Sequence, residues 1–170
     1  ENSDYRALID YLIGALSQRD DVLVALIEDH PTSNSSGQKR AQVELHQRLK
    51  CGQSVILPYR SPDFLCAALS RCSAVFTNKL HVGLAAAAMG STPFSIAKNK
   101  KNISSFEAIG LQGHCVMLDA PEHDKRRLID MMVAHNTPFV VPDRVRAKAL
   151  QNRILLHKFL DQITPASGSD

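Results

Sequence analysis

Two side chains that can carry a positive charge, Lys79 and His81, lie where a short apolar run is followed by a helix. The run is residues 74–76 (Ala-Val-Phe), and the helix of small residues that follows ends at Gly90. In parallel α/β sheets, ligands bind outside the carboxyl ends of strands, where helix amino-termini converge. Lysine and histidine beside the positive end of a helix suit an anion such as phosphate or carboxylate. The bland alternative is a solvated lysine and a histidine that contacts nearby backbone.

A second basic segment follows the next apolar run. Residues 92–96 are expected to form a strand, and residues 97–102 then read Ala-Lys-Asn-Lys-Lys-Asn. We expect this segment to be a loop at the carboxyl end of that strand. It is either a solvated turn or a clamp for phosphate or carboxylate, to which lysine brings a compact, mobile charge.

The elements that position these side chains alternate between short apolar runs and amphipathic segments. This alternation predicts an α/β fold, a Rossmann-like parallel sheet with helices on both faces. The run of residues 22–27 is continuously apolar, so we expect that strand to be buried on both faces. The five expected strands lie near residues 22–28, 54–57, 74–77, 92–96 and 115–118.

Helix start signals complete the pattern. Ser61-Pro62-Asp63 combines a cap, a proline in the first turn and an acid near the positive helix end. One domain is expected over residues 1–163, followed by a flexible tail at 164–170. The remaining helices are predicted from Ser3 or Asp4, and over residues 39–49, 104–109, 122–135 and 143–163.

Composition excludes several classes of protein. The 170 residues are 44% hydrophobic and 22% charged, with a net charge of +3, which is ordinary for a globular domain. The four cysteines and seven histidines show no ligand spacing, so we predict no metal and no cofactor, with reduced and mostly buried thiols. No signal peptide or membrane span is visible, which predicts a cytoplasmic protein.

Basic residues concentrate between residues 125 and 158, a segment that contains eight lysines and arginines and only two acidic residues. Such a segment could meet an anionic membrane surface or nucleic acid. A solvated helix face is the favoured interpretation, because no aromatic side chains interleave with the charges as they do in single-strand binders. We therefore predict no nucleic-acid partner, and nothing further supports a membrane surface.

The segment from Ser73 to Leu111 resembles the signature region of the polysaccharide pyruvyl transferase family. Members carry a strand, an Arg-Leu-His turn, an alanine-rich helix ending in glycine, a strand, a loop with lysine, and a helix ending in Leu-Gly-Leu. The matching pieces here are residues 79–81 (Lys-Leu-His), 90–93 (Gly-Ser-Thr-Pro), 98–101 (Lys-Asn-Lys-Lys) and 108–111 (Ala-Ile-Gly-Leu). The sequence departs from the pattern in two places: Lys79 replaces the arginine, and Lys98-Asn99 replaces Tyr-Asp.

The resemblance implies an activity and a set of residues. The family moves the enolpyruvyl group of phosphoenolpyruvate onto a sugar or glycan acceptor, which needs cations on the donor and a general acid. It implies that Lys79 and Lys101 hold the anion, with Leu80 as part of the same turn, and that His81 is the proton donor. His30 matches a histidine that many members place after an earlier strand.

The resemblance also implies that this is the C-terminal half of a two-domain, glycosyltransferase-B-like enzyme. A central first strand, normally placed between two halves of such a sheet, is not visible in the sequence. It would come from an N-terminal half or a partner chain. Two alternatives remain open: half of a nucleotide-sugar glycosyltransferase, for which Glu107 is the nearest ribose-binding acid, and a non-catalytic module that retains the fold.

Overall fold

The computed structural model describes residues 3–28, 36–50 and 52–163. Helices and strands alternate along this part of the chain, as the sequence predicts for an α/β fold. In order, the elements are α1 (Ser3–Ser17), β1 (Val24–Ile27), α2 (Ser36–Arg48), β2 (Ser54–Leu57), α3 (Pro62–Leu69), β3 (Ala74–Phe76), α4 (Leu80–Ala88), β4 (Thr92–Ala97), α5 (Lys100–Ala108), β5 (Cys115–Met117), α6 (Glu122–Val133) and α7 (Asp143–Ile163).

All the strand pairs are parallel. β1 pairs with β2, β3 pairs with β4, and β4 pairs with β5. The pairing of β3 with β4 makes α4 a crossover helix, which confirms the predicted β-α-β unit around it. Gly90 ends this helix with a φ of +90°, the left-handed conformation that the sequence indicates there.

The strands do not form one continuous sheet. Within the described residues, β1 and β2 form a two-stranded sheet, and β3, β4 and β5 form a separate three-stranded sheet. The missing central strand of a Rossmann-like sheet predicts an incomplete sheet beside residues 22–28 or 74–77, and the two separate sheets agree with this prediction. The prediction that the first strand is buried on both faces is wrong: every residue of β1 is only half-buried. β1 has one neighbouring strand, so its other edge lacks the cover that a central position supplies.

Helices pack on both faces of the three-stranded sheet and form two hydrophobic clusters. Side chains of α1 and α6 surround Phe94, with Ile96 and Val116 packed against them. The opposite face holds Ala97, Cys115 and Phe106 of α5. Neighbouring residues of β4 and β5 thus contribute to different clusters, as the two-residue period of a strand requires.

Pro93 lies in the middle strand of this sheet, where a proline is normally costly. Its position is tolerated because of the alternation of hydrogen bonds along β4. The amide nitrogen of Thr92 faces β3 and donates to Ser73 O at 3.1 Å, whereas that of Ser95 faces β5 and donates to His114 O at 2.9 Å. The nitrogen of Pro93 therefore faces the β5 side. Pro93 precedes Ser95, the first residue of β4 that pairs with β5, so no hydrogen bond between these strands is lost.

Helix α1 connects the two sheets. Towards the three-stranded sheet, Tyr11 Oη donates to Asp130 of α6 at 2.8 Å and Arg19 Nη1 donates to Val133 O at 2.7 Å. Towards the two-stranded sheet, Gln53 Nε2 donates to Leu16 O at 2.7 Å, and Asp10 pairs with Arg48 of α2. Arg19 also forms hydrogen bonds with Asp21, which lower the pKa of that carboxyl to about 2.

The start of α5 differs from the sequence prediction. Residues 97–102 are not a loop, because Ala97 ends β4 and α5 begins at Lys100 rather than at Ser104. Asn99 takes an extended conformation, and its side chain accepts a hydrogen bond from Lys101 N at 2.8 Å. This side-chain cap satisfies a first-turn amide and starts the helix four residues early.

The other boundaries agree more closely. Ser61 caps α3 as predicted, since its hydroxyl accepts a hydrogen bond from Phe64 N at 3.1 Å. α2 begins at Ser36, three residues before its expected start, and α6 ends at Val133, two residues before its expected end. Cys66, Cys72 and Cys115 are free, and of these only Cys115 is fully buried. His30, Cys51 and the expected tail at 164–170 lie outside the described residues.

Ser91 ties the end of α4 to the end of α3. Its side chain is fully buried, and its hydroxyl lies within hydrogen-bond distance of Leu69 O and, at 2.6 Å, of Cys72 O. Ser91→Ala should lower the free energy of unfolding by about 1–2 kcal/mol, because buried carbonyl groups lose their donor. Urea denaturation measures this change. An exposed serine, Ser104→Ala, is the control and should change stability by less than about 0.5 kcal/mol.

Candidate functional site

The predicted basic residues are carried by two helices that begin at the same edge of the three-stranded sheet. α4 starts directly after β3, and α5 starts directly after β4. Because β3 and β4 are adjacent and parallel, both helix amino-termini lie at the carboxyl edge. This is the edge at which open α/β sheets bind their ligands.

Asn102 links the two helix starts. The side chain is 8% exposed, although it lies in the first turn of α5. The side-chain nitrogen Nδ2 of Asn102 is 3.5 Å from Asn78 O, in the turn that leads into α4. In the same turn, Lys79 N donates to Thr77 Oγ1 at 3.1 Å. These contacts fix the separation between the backbone of the Lys79 turn and the first turn of α5.

The amino-terminus of α4 has no side-chain cap. Lys79 occupies the cap position and makes no capping hydrogen bond, since an ammonium group cannot accept one. Ser61 caps α3 and Asn99 caps α5 with side-chain oxygens, whereas α6, which follows Pro121, also lacks such a cap. The first-turn amides of α4 can therefore donate hydrogen bonds to an external anion in place of a cap.

The charges at these two helix starts oppose the usual preference. Acids stabilise helix amino-termini, and α3, α6 and α7 each carry one or more in the first turn. Within the described residues, the first turns of α2, α4 and α5 carry none, and of these only α4 and α5 begin at the carboxyl edge of the three-stranded sheet. At α4 and α5 these positions hold lysines and a histidine instead: Lys79, His81, Lys100 and Lys101. Such an arrangement costs stability in the free protein and becomes favourable when an anion binds between the helices.

The structure places the predicted site residues as follows. Lys79, His81 and Lys101 are exposed at the carboxyl edge. Leu80 is half-buried and packs against the cluster around Phe106, so its side chain joins α4 to α5. His30 lies outside the described residues, and its place relative to this edge is not defined.

Glu107, the acid required by the glycosyltransferase alternative, lies at the wrong end of its helix. It is exposed in the last turn of α5, which runs away from the carboxyl edge. Glu107 is therefore separated from Lys101 by about one and a half helical turns along the axis, or about 9 Å.

Two buried polar residues that follow strands were not predicted from the sequence. One is Asn102, whose role depends on a contact with a distant turn. The other is Glu28, which follows β1 and is only 7% exposed. A Glu28 carboxylate oxygen accepts a hydrogen bond from Tyr59 N at 3.2 Å. The available signal for Glu28 was an acid placed directly after an apolar strand, where carboxyl-edge residues gather.

A surface groove of about 380 Å³ lies at the opposite edge of the two-stranded sheet. It is lined by the segments that precede β1 and β2, including Arg19, Asp21, Lys50 and Gln53. The groove is therefore distant in the fold from the predicted anion site. In the part of the chain that the structure describes, no group of three or more His, Cys, Asp or Glu side chains is placed to hold a metal ion.

Comparisons with known proteins leave the family open. No protein-family model matches the chain, no curated protein matches it, and no solved structure matches it. The geometry of the carboxyl edge and the resemblance carried by residues 73–111 are thus the basis for a functional proposal. Among the described helices, none combines the length and apolar character needed to cross a membrane.

Proposed function

We propose that the carboxyl edge of the three-stranded sheet binds phosphoenolpyruvate, and that this chain is the donor-binding half of a pyruvyl transferase in polysaccharide biosynthesis. The observation that carries this proposal is the pair of adjacent helix starts that bear cations where acids are favoured. Phosphoenolpyruvate has both a phosphate and a carboxylate, so two neighbouring cationic helix ends suit it better than one.

The roles of the residues follow from the chemistry of the donor. Lys79, beside the uncapped start of α4, would hold one anionic group, and Lys101 would hold the other. His81 would supply the proton that the enol carbon takes up as a first sugar hydroxyl adds to the neighbouring carbon. A second hydroxyl of the sugar then displaces phosphate from that carbon and closes the pyruvate ketal, with the hydroxyl protons passing to phosphate and solvent. The sugar or glycan acceptor would be held mainly by another domain or chain, since the neutral side chains of Thr77, Asn99 and Asn102 at this edge already contact backbone groups.

The glycosyltransferase alternative has less support. A nucleotide sugar needs an acid that accepts hydrogen bonds from ribose hydroxyl groups, and Glu107 is at the far end of α5. Glu28 follows β1 of the other sheet, and its carboxylate already accepts a hydrogen bond from Tyr59 N. A non-catalytic module would retain the fold without either ligand.

Calorimetric titration separates these three functions. Phosphoenolpyruvate, UDP-glucose and inorganic phosphate are titrated into the protein at low salt, where charge-based binding is strongest. The proposal expects phosphoenolpyruvate to bind most tightly. Tighter binding of UDP-glucose would favour the glycosyltransferase, and no binding of any of the three would favour the non-catalytic module.

Lys79→Arg should strengthen the binding of phosphoenolpyruvate by roughly 1 kcal/mol, which is about a fivefold lower Kd. The guanidinium group can grip a carboxylate or phosphate with two parallel hydrogen bonds, whereas an ammonium group acts as a point charge. The same calorimetric titration measures the change. Lys148→Arg, an exposed position on α7, is the control and should leave the Kd unchanged. Equal affinities of the Lys79→Arg variant and the unmodified protein would contradict the assigned contact.

A further inference from the structure

Helix α7 presents apolar side chains that the rest of the fold does not cover. A surface helix of a globular domain normally turns one apolar face to the core. In α7, every residue from Arg146 to Leu155 is exposed, and neither hydrophobic cluster includes a described side chain of this helix. Leu150, Ile154 and Leu155 are 58%, 48% and 56% exposed. The described part of α7 therefore keeps its leucine and isoleucine side chains in contact with solvent.

Basic side chains flank this apolar surface. Leu150 and Ile154 are four residues apart, so they lie on one stripe along the helix. Two bases lie on each side of the stripe, and all four are exposed: Arg144, Arg146, Lys148 and Arg153. Among the described residues, none of these four forms an ion pair. The same part of the helix contains a single acid, Asp143, in its first turn.

α7 begins at the amino edge of the three-stranded sheet, opposite the predicted anion site. Phe139 N, in the segment before α7, donates to Gly90 O at 2.8 Å. A Cβ atom at Gly110 would lie 3.2 Å from Pro142 Cγ. Gly90 and Gly110 precede β4 and β5, so both contacts lie at the amino ends of strands. The start of α7 is thus attached to the fold, on the side away from Lys79 and Lys101.

The charge of this helix distinguishes between possible partners. A second copy of α7 would place its bases against the same bases, and like charges across an interface repel. The surface of a bilayer with anionic lipids offers the opposite charge to all four bases. Arginine and lysine side chains can lay their stems along apolar groups while their charged ends reach lipid phosphates. Exposed leucine and isoleucine side chains flanked by bases are typical of helices that lie in a membrane interface.

We propose that residues 144–155 of α7, which we call the basic helix face, bind the surface of a bilayer that contains anionic lipids. The helix lies in the plane of the surface, with Leu150 and Ile154 towards the acyl chains and the bases among the head groups. Binding of phosphoenolpyruvate at the carboxyl edge is neither required for this contact nor prevented by it.

The test measures how much of the protein sediments with large vesicles. Vesicles of phosphatidylcholine alone are compared with vesicles that also contain about 30% phosphatidylglycerol, at low salt. We expect the partition coefficient to be at least about tenfold higher for the anionic vesicles and to fall as salt is added. The double variant Leu150→Gln, Ile154→Gln should lower it by at least about tenfold, because less apolar area enters the interface.

Two further double variants test the charges and the position of the contact. Arg146→Gln, Arg153→Gln should lower the partition coefficient by at least about fivefold, because two contacts with anionic head groups are lost. Lys100→Gln, Lys101→Gln removes the same charge from the carboxyl edge and should change it by less than about twofold. The apolar control removes two exposed side chains outside α7, Leu23→Gln and Val43→Gln, and should also leave the partition coefficient unchanged. Circular dichroism checks that each variant remains folded.

Several results would overturn the proposal. Equal sedimentation of the unmodified protein and the Leu150→Gln, Ile154→Gln variant would show that apolar insertion does not occur. Equal binding to neutral and anionic vesicles would contradict the role of the bases. A loss of binding in the Lys100→Gln, Lys101→Gln variant alone would move the contact to the carboxyl edge. Binding to polyglutamate but not to vesicles would assign the face to an acidic polypeptide, and dimerisation without vesicles that the Leu150→Gln, Ile154→Gln variant loses would assign it to a second copy.

Discussion

Gly83→Ala is expected to lower the free energy of unfolding by about 1–3 kcal/mol, although alanine is the better helix former. A Cβ atom at Gly83 would lie 2.9 and 3.2 Å from two ring carbons of Phe106. That ring is 1% exposed and packed in the cluster between α5 and the sheet, so it has little freedom to move. Urea denaturation gives the change in free energy directly.

Gly14→Ala is the matched control, because it makes the same chemical change inside another helix. No atom lies within 4 Å of a Cβ built at Gly14 in α1. This variant should therefore gain about 0.5–1 kcal/mol from helix propensity. Opposite signs for the two variants would confirm the close approach of α4 to α5, and a stabilised Gly83→Ala protein would contradict it.

The double variant His81→Ala, Lys101→Gln is expected to weaken the binding of phosphoenolpyruvate by at least about thirtyfold. Lys101 is assigned a charge-assisted contact with the donor, which contributes about 1.5–3 kcal/mol, and His81, the assigned proton donor, contributes a hydrogen bond of about 0.5–1.5 kcal/mol. At the same time, the free protein should become about 0.3–1 kcal/mol more stable, because a cation leaves the positive end of α5. Calorimetry measures the affinity, and urea denaturation measures the stability.

Opposite changes in affinity and stability distinguish a binding site from a purely structural one. Lys148→Gln removes the same charge from an exposed position within α7 and should alter neither quantity. Weaker binding together with lower stability would indicate that the double variant acts through the fold. Unchanged affinity would show that the anion binds elsewhere.

The strands were predictable because each is a short apolar run bounded by polar or turn-forming residues. The parallel pairing followed from the helix between each pair of runs, and the gap beside β1 and β3 followed from the order of strands in a Rossmann-like sheet. The burial of β1 was predicted wrongly because an apolar sequence shows that a strand could be buried on both faces, not that it is. How much it does bury depends on its neighbours in the sheet.

The start of α5 was missed for a different reason. Its first turn carries two lysines and an asparagine, and this polar composition resembles that of a loop. What starts the helix is the hydrogen bond from Lys101 N to the Asn99 side chain. An asparagine can cap a helix or form a turn with equal ease, so the sequence pattern alone did not distinguish the two.

The site was predictable as far as the shared edge, because chain order alone places Lys79, His81 and Lys101 after adjacent strands. The contact of Asn102 with Asn78 O could not be predicted, since it joins residues of two different turns. The missing cap of α4 was visible in the sequence as a lysine at the cap position. That this lysine leaves the first-turn amides without a side-chain acceptor became clear only by comparison with the capped starts of α3 and α5.

The position of α1 also has a consequence for cooperative unfolding. α1 carries contacts from the two-stranded unit to the three-stranded one, through Gln53 and Arg48 on one side and Tyr11 and Arg19 on the other. The two described sheets share no backbone ladder, so they are joined through the hydrophobic cluster to which α1 contributes Leu8, Leu12, Ile13 and Leu16. Because the same side chains surround Phe94, detachment of α1 exposes the packing of both sheets at once, and we expect the two sheets to unfold as one cooperative unit.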